Sequence, residues 1–149
     1  MLTLRLLAPA VLAFAAAAPA VAQELTPHRA AYTVTVLENG KPSGGAPGSY
    51  AYELKLTCDG YVANQRLRLE LGGQRGSVTS EQQTQMTESK DGKKLSFEHR
   101  STTGGRRTSL FKGEATLGDD GSGEARFSDP EGQTVRLPVG TFFPAAILR

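Results

Sequence analysis

The side chains best suited to nucleophilic catalysis are one cysteine, Cys58, and two histidines, His28 and His99. A cysteine beside a histidine can form a thiolate–imidazole dyad, so Cys58 and His99 are a formal candidate pair. His99 follows Phe97 in a predicted strand, where a structural histidine is the simpler interpretation. The sequence contains no nucleophile elbow, no H-E-x-x-H motif and no phosphate-binding loop. We therefore expect no catalytic residues and no enzymatic activity.

Metal and nucleic-acid binding also lack support in the sequence. A single cysteine cannot build an internal disulfide framework or a zinc cluster. Asp119-Asp120-Gly121 resembles a fragment of a calcium loop, but the glutamate and the spacing of such a loop are absent. The 17 basic residues nearly balance the 15 acidic ones, so there is no electrostatic basis for binding nucleic acid. We expect no metal, no cofactor and no nucleic-acid partner.

A group of polar residues is the candidate binding site. Asp59 lies in a predicted turn, because an aspartate can cap its own backbone. Asn64, Gln65 and Arg66 follow on a strand that is otherwise largely apolar on one side. A buried polar cluster must be satisfied by hydrogen-bond partners. The sequence leaves open whether these four residues hold a ligand or have a structural role, and whether Arg66 pairs internally.

The elements that must position these residues are strands. Apolar and polar residues alternate with a period of two along much of the chain, which is typical of half-buried strands. Strands are predicted at 31–37, 49–57, 61–71, 78–89, 94–103, 106–117, 124–128 and 133–137. Glycine-containing turns separate most of them, and Asp91-Gly92 is a strong hairpin signal. The pattern predicts an all-β protein, an antiparallel meander that curls into a barrel or spiral, with the start of a helix at 145–149.

The N-terminus has the features of a secretion signal. A short n-region ending at Arg5 precedes an apolar stretch, and Ala20-Val21-Ala22 is a cleavage motif. We expect residues 1–22 to be a signal peptide cleaved after Ala22, and residues 23–149 to form one β domain in the periplasm. No apolar run outside the N-terminus is long enough to span a membrane, so we expect no membrane span in the mature chain.

Three separated blocks carry a resemblance to a known family. They are PHRAAY at 27–32, CDGYVANQR at 58–66 and LPVGTFFP at 137–144. Together they resemble the EipB family of cell envelope integrity proteins, formerly the domain of unknown function DUF1849. The resemblance implies a periplasmic β-spiral or broken barrel with no established enzymatic activity. It also implies a disulfide from Cys58 to a cysteine in a second half that this chain lacks. We therefore expect a truncated family member, its N-terminal half.

Two functions follow as expectations. The first is a non-catalytic periplasmic protein that contributes to cell envelope integrity by binding an envelope component or a protein partner. The alternative is a periplasmic carrier of a lipid or other apolar ligand, held in the concave face of the curled sheet by the tyrosines and leucines of 49–71. Arg100, Arg106 and Arg107 could meet anionic headgroups, although a solvated hairpin tip is the simpler interpretation.

Overall fold

Apolar and polar side chains alternate along the chain and produce strands. In the main sheet, each strand lies beside the strand of that sheet that comes next in sequence. The computed structural model describes residues 24–35, 37–42, 48–73 and 76–148. Eight of its strands form one antiparallel sheet, and two short strands form a separate hairpin. The strands are β1 His28–Val34, β2 Leu37–Glu38, β3 Lys41–Pro42, β4 Gly48–Leu56, β5 Gly60–Gly73, β6 Gly76–Ser89, β7 Lys94–Thr103, β8 Arg106–Leu117, β9 Gly123–Asp129 and β10 Glu131–Leu137. The prediction of an all-β antiparallel meander is confirmed.

The sheet is open in the part of the chain that the structure describes. Its strand order runs from β1 through β4 to β10, so β1 and β10 form opposite edges and do not pair with each other. The short β2–β3 hairpin turns at Asn39-Gly40, and both residues have positive φ angles, 51° and 76°. This turn chemistry is the one that two-residue hairpins favour.

The first strand begins earlier than its prediction. It runs over His28–Val34 instead of 31–37, because its residues pair with β4 in continuous register from His28 opposite Leu54 to Val34 opposite Gly48. The pairing of a whole strand with its neighbour decides its limits, and local alternation alone does not.

Some predictions concern residues outside the described part of the chain. The signal peptide at 1–22, Val36, the loop residues 43–47 and Arg149 lie there. The division into residues 1–22 and 23–149 therefore stays a prediction.

The registers give the sheet two chemically different faces, because successive side chains of a strand point to opposite sides. The apolar face carries Tyr52, Leu54, Tyr61, Ala63, Met86, Leu95, Phe97, Ala115, Ala125 and Phe127. The polar face carries Arg29, Glu53, Asn64, Arg66, Gln83, Gln85, Glu98, Arg100, Lys112, Glu114 and Arg126.

A short helix covers part of the apolar face. α1 (Pro144–Ile147) has proline at its first turn, where a missing backbone N–H costs no hydrogen bond. Ala145 of this helix is buried together with Leu54 and Tyr61 of the sheet. The helical start predicted at 145–149 is confirmed, and the packing against the sheet supplies the stability that a single helical turn lacks.

The loop before α1 buries one of its two aromatic residues. Phe143 is 4% exposed and packs with Ala115 and Ala125 in a second core cluster. Phe142 is 66% exposed. Adjacent side chains on extended backbone point in opposite directions, and Phe143 has extended φ and ψ angles of −82° and 161°.

Candidate functional site

A wide, open hollow lies on the polar face, where it crosses five neighbouring strands, β1 and β4 to β7. Its volume is about 610 Å³. The side chains of the polar face that line it, called the polar groove below, are Arg29, Ala31, Ala51, Glu53, Asn64, Arg66, Gln83, Gln85, Glu98 and Arg100. The two alanines pair with each other across β1 and β4, and their small side chains leave the space open.

Strand register arranges these side chains in two rows that run across the sheet. One row is Ala31, Ala51, Arg66, Gln83 and Arg100. The other row is Arg29, Glu53, Asn64, Gln85 and Glu98. Each row takes one residue from each strand. The groove is thus a surface of carboxamides and ion pairs above a floor of small side chains.

Glu53 is the centre of one polar network in the groove. Its carboxylate lies 3.0 Å from the Lys55 ammonium and 2.5 Å from Nε of Arg29. The carboxamide of Asn64 donates a hydrogen bond to its second oxygen at 3.3 Å. The hydrogen bond from Lys55, followed by that from Arg29, holds the pKa of Glu53 below its ordinary value. Glu53 is therefore an ionised acceptor at neutral pH.

A second network lies beside it on β5 and β6. The Arg66 guanidinium is 2.7 Å from the Glu81 carboxylate, and Gln83 donates a hydrogen bond to the same oxygen at 2.6 Å. The Gln83 hydrogen bond and then the Arg66 charge lower the pKa of Glu81. At the far end of the groove, Arg100 pairs with Glu98 at 3.0 Å. Every arginine of the groove therefore already has a carboxylate partner.

The apolar face holds a smaller hollow of about 270 Å³ between the sheet and α1. Tyr61, Met86, Leu95 and Leu54 are among its lining residues. A strongly polar group closes one side of it, because the carboxylate of Glu88 is buried there at 3% exposure.

Glu88 fastens α1 to the sheet. Its carboxylate accepts hydrogen bonds from the backbone N–H groups of Ala145 at 2.7 Å and Ala146 at 2.9 Å. These groups belong to the first turn of the helix, where N–H groups have no partner within the helix. A carboxylate also interacts favourably with the positive end of the helix dipole.

The chain is similar to proteins of known family along most of its length. The family described as EipB-like matches residues 19–149. The chain belongs to this family. The resemblance noted in the sequence is thereby confirmed.

Two relatives show how far the similarity extends. The cell envelope integrity protein EipB of Brucella abortus (strain 2308) is 35% identical over 134 residues, which cover 87% of this chain and 47% of that protein. A crystal structure of a beta-barrel-like protein of the domain of unknown function DUF1849 from Brucella abortus superimposes with a TM-score of 0.70 and 30% identity. That alignment covers 81% of this chain and 51% of the other. The chain thus spans about half the length of these relatives.

The four polar residues singled out in the sequence do not form one cluster. Asn64 and Arg66 lie in the polar groove, whereas the side chain of Gln65 points to the apolar face, where it lies opposite Tyr52 and Thr84. Asp59 is exposed in the turn between β4 and β5. Strand alternation separates neighbours in sequence in this way.

Sequence reasoning missed the other half of the groove. Its members from β1, β4, β6 and β7 are Arg29, Glu53, Gln83, Gln85, Glu98 and Arg100, of which only Arg100 had been considered, as a contact for anionic headgroups. All of them except Arg29 are polar residues of a predicted strand, and this polarity was the signal that could have identified them; Arg29 precedes the strand predicted at 31–37. Only the registers between the strands bring them together.

The structure keeps Cys58 and His99 in separate places. Cys58 is exposed in the turn after β4, and it is a free thiol in the described residues. His99 lies within β7, where its two ring nitrogens are 2.8 Å from the Thr84 hydroxyl and 3.1 Å from the Ser101 hydroxyl. Its ring stacks on Phe111 with centroids 6.2 Å apart. The disulfide of Cys58 that the family resemblance implies stays a prediction.

The described residues show neither a metal-binding group nor a membrane-spanning helix. Within 24–35, 37–42, 48–73 and 76–148, no three His, Cys, Asp or Glu side chains are grouped so that they could hold a metal ion. Over the same ranges, no helix has the length and apolar character needed to cross a lipid bilayer.

Proposed function

We propose that this chain acts in the periplasm as a non-catalytic protein that contributes to cell envelope integrity by binding an envelope component or a protein partner. The polar groove is the observation that carries the proposal, because it is a large, open surface of hydrogen-bonding groups. Membership of the EipB-like family supports the envelope role, since a relative bears the name cell envelope integrity protein.

The arrangement of groups in the groove favours binding over catalysis. A general acid–base pair needs groups whose pKa values are pushed apart toward the working pH. The carboxylates Glu53 and Glu81 instead have pKa values shifted downward by their cationic and amide partners. Both are acceptors for hydrogen bonds at neutral pH, which suits recognition of a polar ligand.

Deletion of the gene in its own bacterium tests the envelope role. We expect the deletion strain to become more sensitive to detergent and to cell-wall antibiotics, and the intact gene to restore resistance. A gene that lacks codons 2–22 is the control for location, and it should not restore resistance, because the product would stay in the cytoplasm. Unchanged sensitivity in a clean deletion would contradict the proposal.

The second candidate function is a carrier of a lipid or other apolar ligand. The hollow of about 270 Å³ under α1 favours it, because tyrosine, leucine and methionine side chains line this space. Native mass spectrometry of protein purified from the periplasm should then show a co-purified lipid, and a C-terminal variant that removes α1 should lose it. Protein that carries no lipid would contradict this function.

A further inference from the structure

We propose that the occupant of the polar groove is an extended, N-acetylated glycan chain. This inference rests on the proposed function, since it names the envelope component that would bind. It concerns the polar face only. The chemistry is that of the glycan strands of a bacterial cell wall.

The dimensions of the groove fit an extended sugar chain that runs across the strands. The groove crosses five adjacent strands, whose spacing makes it about 19 Å long. The spacing between neighbouring strands is similar to the length of one pyranose residue in an extended chain. Each successive sugar would therefore meet the side chains of a new strand, and about four sugars would fill the groove.

The carboxamides of the groove match an acetamido group. Asn64, Gln83 and Gln85 each carry two N–H donors and a C=O acceptor, and an acetamido substituent offers the complementary pair. One N–H of Asn64 and one of Gln83 are engaged by the carboxylates of Glu53 and Glu81. Gln83 and Gln85 are exposed and lie two residues apart on β6, so they point to the same side. Within the described residues the carboxamide of Gln85 has no hydrogen-bond partner, and it is available to a ligand.

The floor of the groove suits the apolar parts of such a chain. Ala31 and Ala51 are exposed, directly paired, and carry only methyl groups. A sugar ring or an acetyl methyl can pack on this floor while its polar groups face the two rows. Burial of apolar surface then adds to the hydrogen bonds.

The charges of the groove select against a strongly anionic occupant. Arg29, Arg66 and Arg100 are each within 3.0 Å of a carboxylate. A polyphosphate or an anionic lipid surface would have to compete with these fixed carboxylates, and their negative charge would oppose it. A neutral polyol that hydrogen-bonds to both members of an ion pair avoids this conflict.

NMR titration of the purified protein with N,N′,N″,N‴-tetraacetylchitotetraose tests the inference. We expect shifts in the side-chain amide signals of Gln83 and Gln85. The double variant Gln83→Ala/Gln85→Ala should weaken binding about tenfold, as expected from the loss of about two hydrogen bonds. Gln82→Ala is the matched control, because Gln82 is exposed on the same strand but points to the other face. It should change affinity less than about twofold.

Two further ligands sharpen the test. Cellotetraose has the same linkage without acetamido groups, and we expect it to bind at least about tenfold more weakly. Purified cell-wall sacculi should retain the parent protein, and tetraacetylchitotetraose should release it. Retention without such competition would identify another wall component as the ligand and overturn the inference.

The inference and the proposed function fail separately. If neither glycan shifts any signal of the groove, or if the double variant binds as well as the parent, the glycan assignment is wrong. The envelope role is then still decided by the sensitivity of the deletion strain to detergent and cell-wall antibiotics. If the glycan binds but the deletion strain is unchanged, the envelope role fails and the glycan site remains.

Discussion

Replacement of Glu88 by glutamine should loosen the attachment of α1 to the sheet. The carboxylate of Glu88 accepts two backbone hydrogen bonds, from Ala145 and Ala146. A glutamine oxygen can replace one acceptor, but its NH2 group then points a donor at the other N–H. Because the site is 3% exposed, water cannot readily satisfy that N–H.

The size of the effect follows from the lost contact. A hydrogen bond to a charged group contributes about 1.5–3 kcal/mol, so Glu88→Gln should lower the free energy of unfolding by about 2 kcal/mol. Glu88→Ala removes both acceptors and should cost about 4 kcal/mol. Glu114→Gln makes the same chemical change at an exposed position of the polar face and is the control. It should change stability by less than about 0.5 kcal/mol.

Urea unfolding followed by circular dichroism measures these differences, provided that the variants keep the same dependence on urea. Hydrogen exchange adds a local measurement, because the amides of Ala145 and Ala146 should exchange faster in Glu88→Gln than in the parent. The reasoning is refuted if Glu88→Gln unfolds at the same urea concentration as Glu114→Gln. It is also refuted if stability falls while both amides keep their protection.

Other parts of the fold give three further predictions. Phe143→Ala should lower the free energy of unfolding in urea by about 3 kcal/mol, because Phe143 is buried. Phe142→Ala should lower it by less than about 0.5 kcal/mol, because Phe142 is exposed. Equal losses in the two variants would contradict the packing of this loop. Gly60→Ala should lower the free energy of unfolding by at least about 2 kcal/mol, since the added Cβ would lie 1.9 Å from the backbone oxygen of Glu88. Gly72→Ala should lower it by less than about 1 kcal/mol, because the space around Gly72 is open. The lowered pKa of Glu53 makes its stabilising contribution complete above the ordinary value of 4.5, and this contribution is lost as the pH falls below that value. Glu53→Gln should therefore flatten the decline of thermal stability between about pH 6 and 3, and an unchanged decline would argue against its ion pairs.

Most strands could be predicted from the sequence because their two faces differ so clearly. β7 and β8 were predicted with their observed limits, and β4, β5, β6, β9 and β10 to within two residues at each end. The alternation of apolar and polar residues fixes which side chains share a face. It does not fix how strands pair, and for this reason the predicted β1 lay three residues too far toward the C-terminus.

The candidate site was predictable only in part. Asn64 and Arg66 were identified because they stand out on one strand, and they do lie in the groove. Their partners from other strands were not identifiable, because a row across the sheet depends on several registers at once. The cap of α1 by Glu88 joins residues 57 positions apart in sequence, and no local pattern encodes such a contact.

β6 connects the candidate binding surface to the core. Gln83 and Gln85 point from this strand into the polar groove, while Met86 and Glu88 point to the apolar face. A slip of β6 by one residue would exchange the two sets of side chains. It would also remove the carboxylate that accepts hydrogen bonds from the first turn of α1. The loss of unfolding free energy in the Glu88 variants measures how much that contact stabilises the register. The buried carboxylate therefore favours the one register that places both glutamines in the groove, although it lies on the opposite face of the sheet.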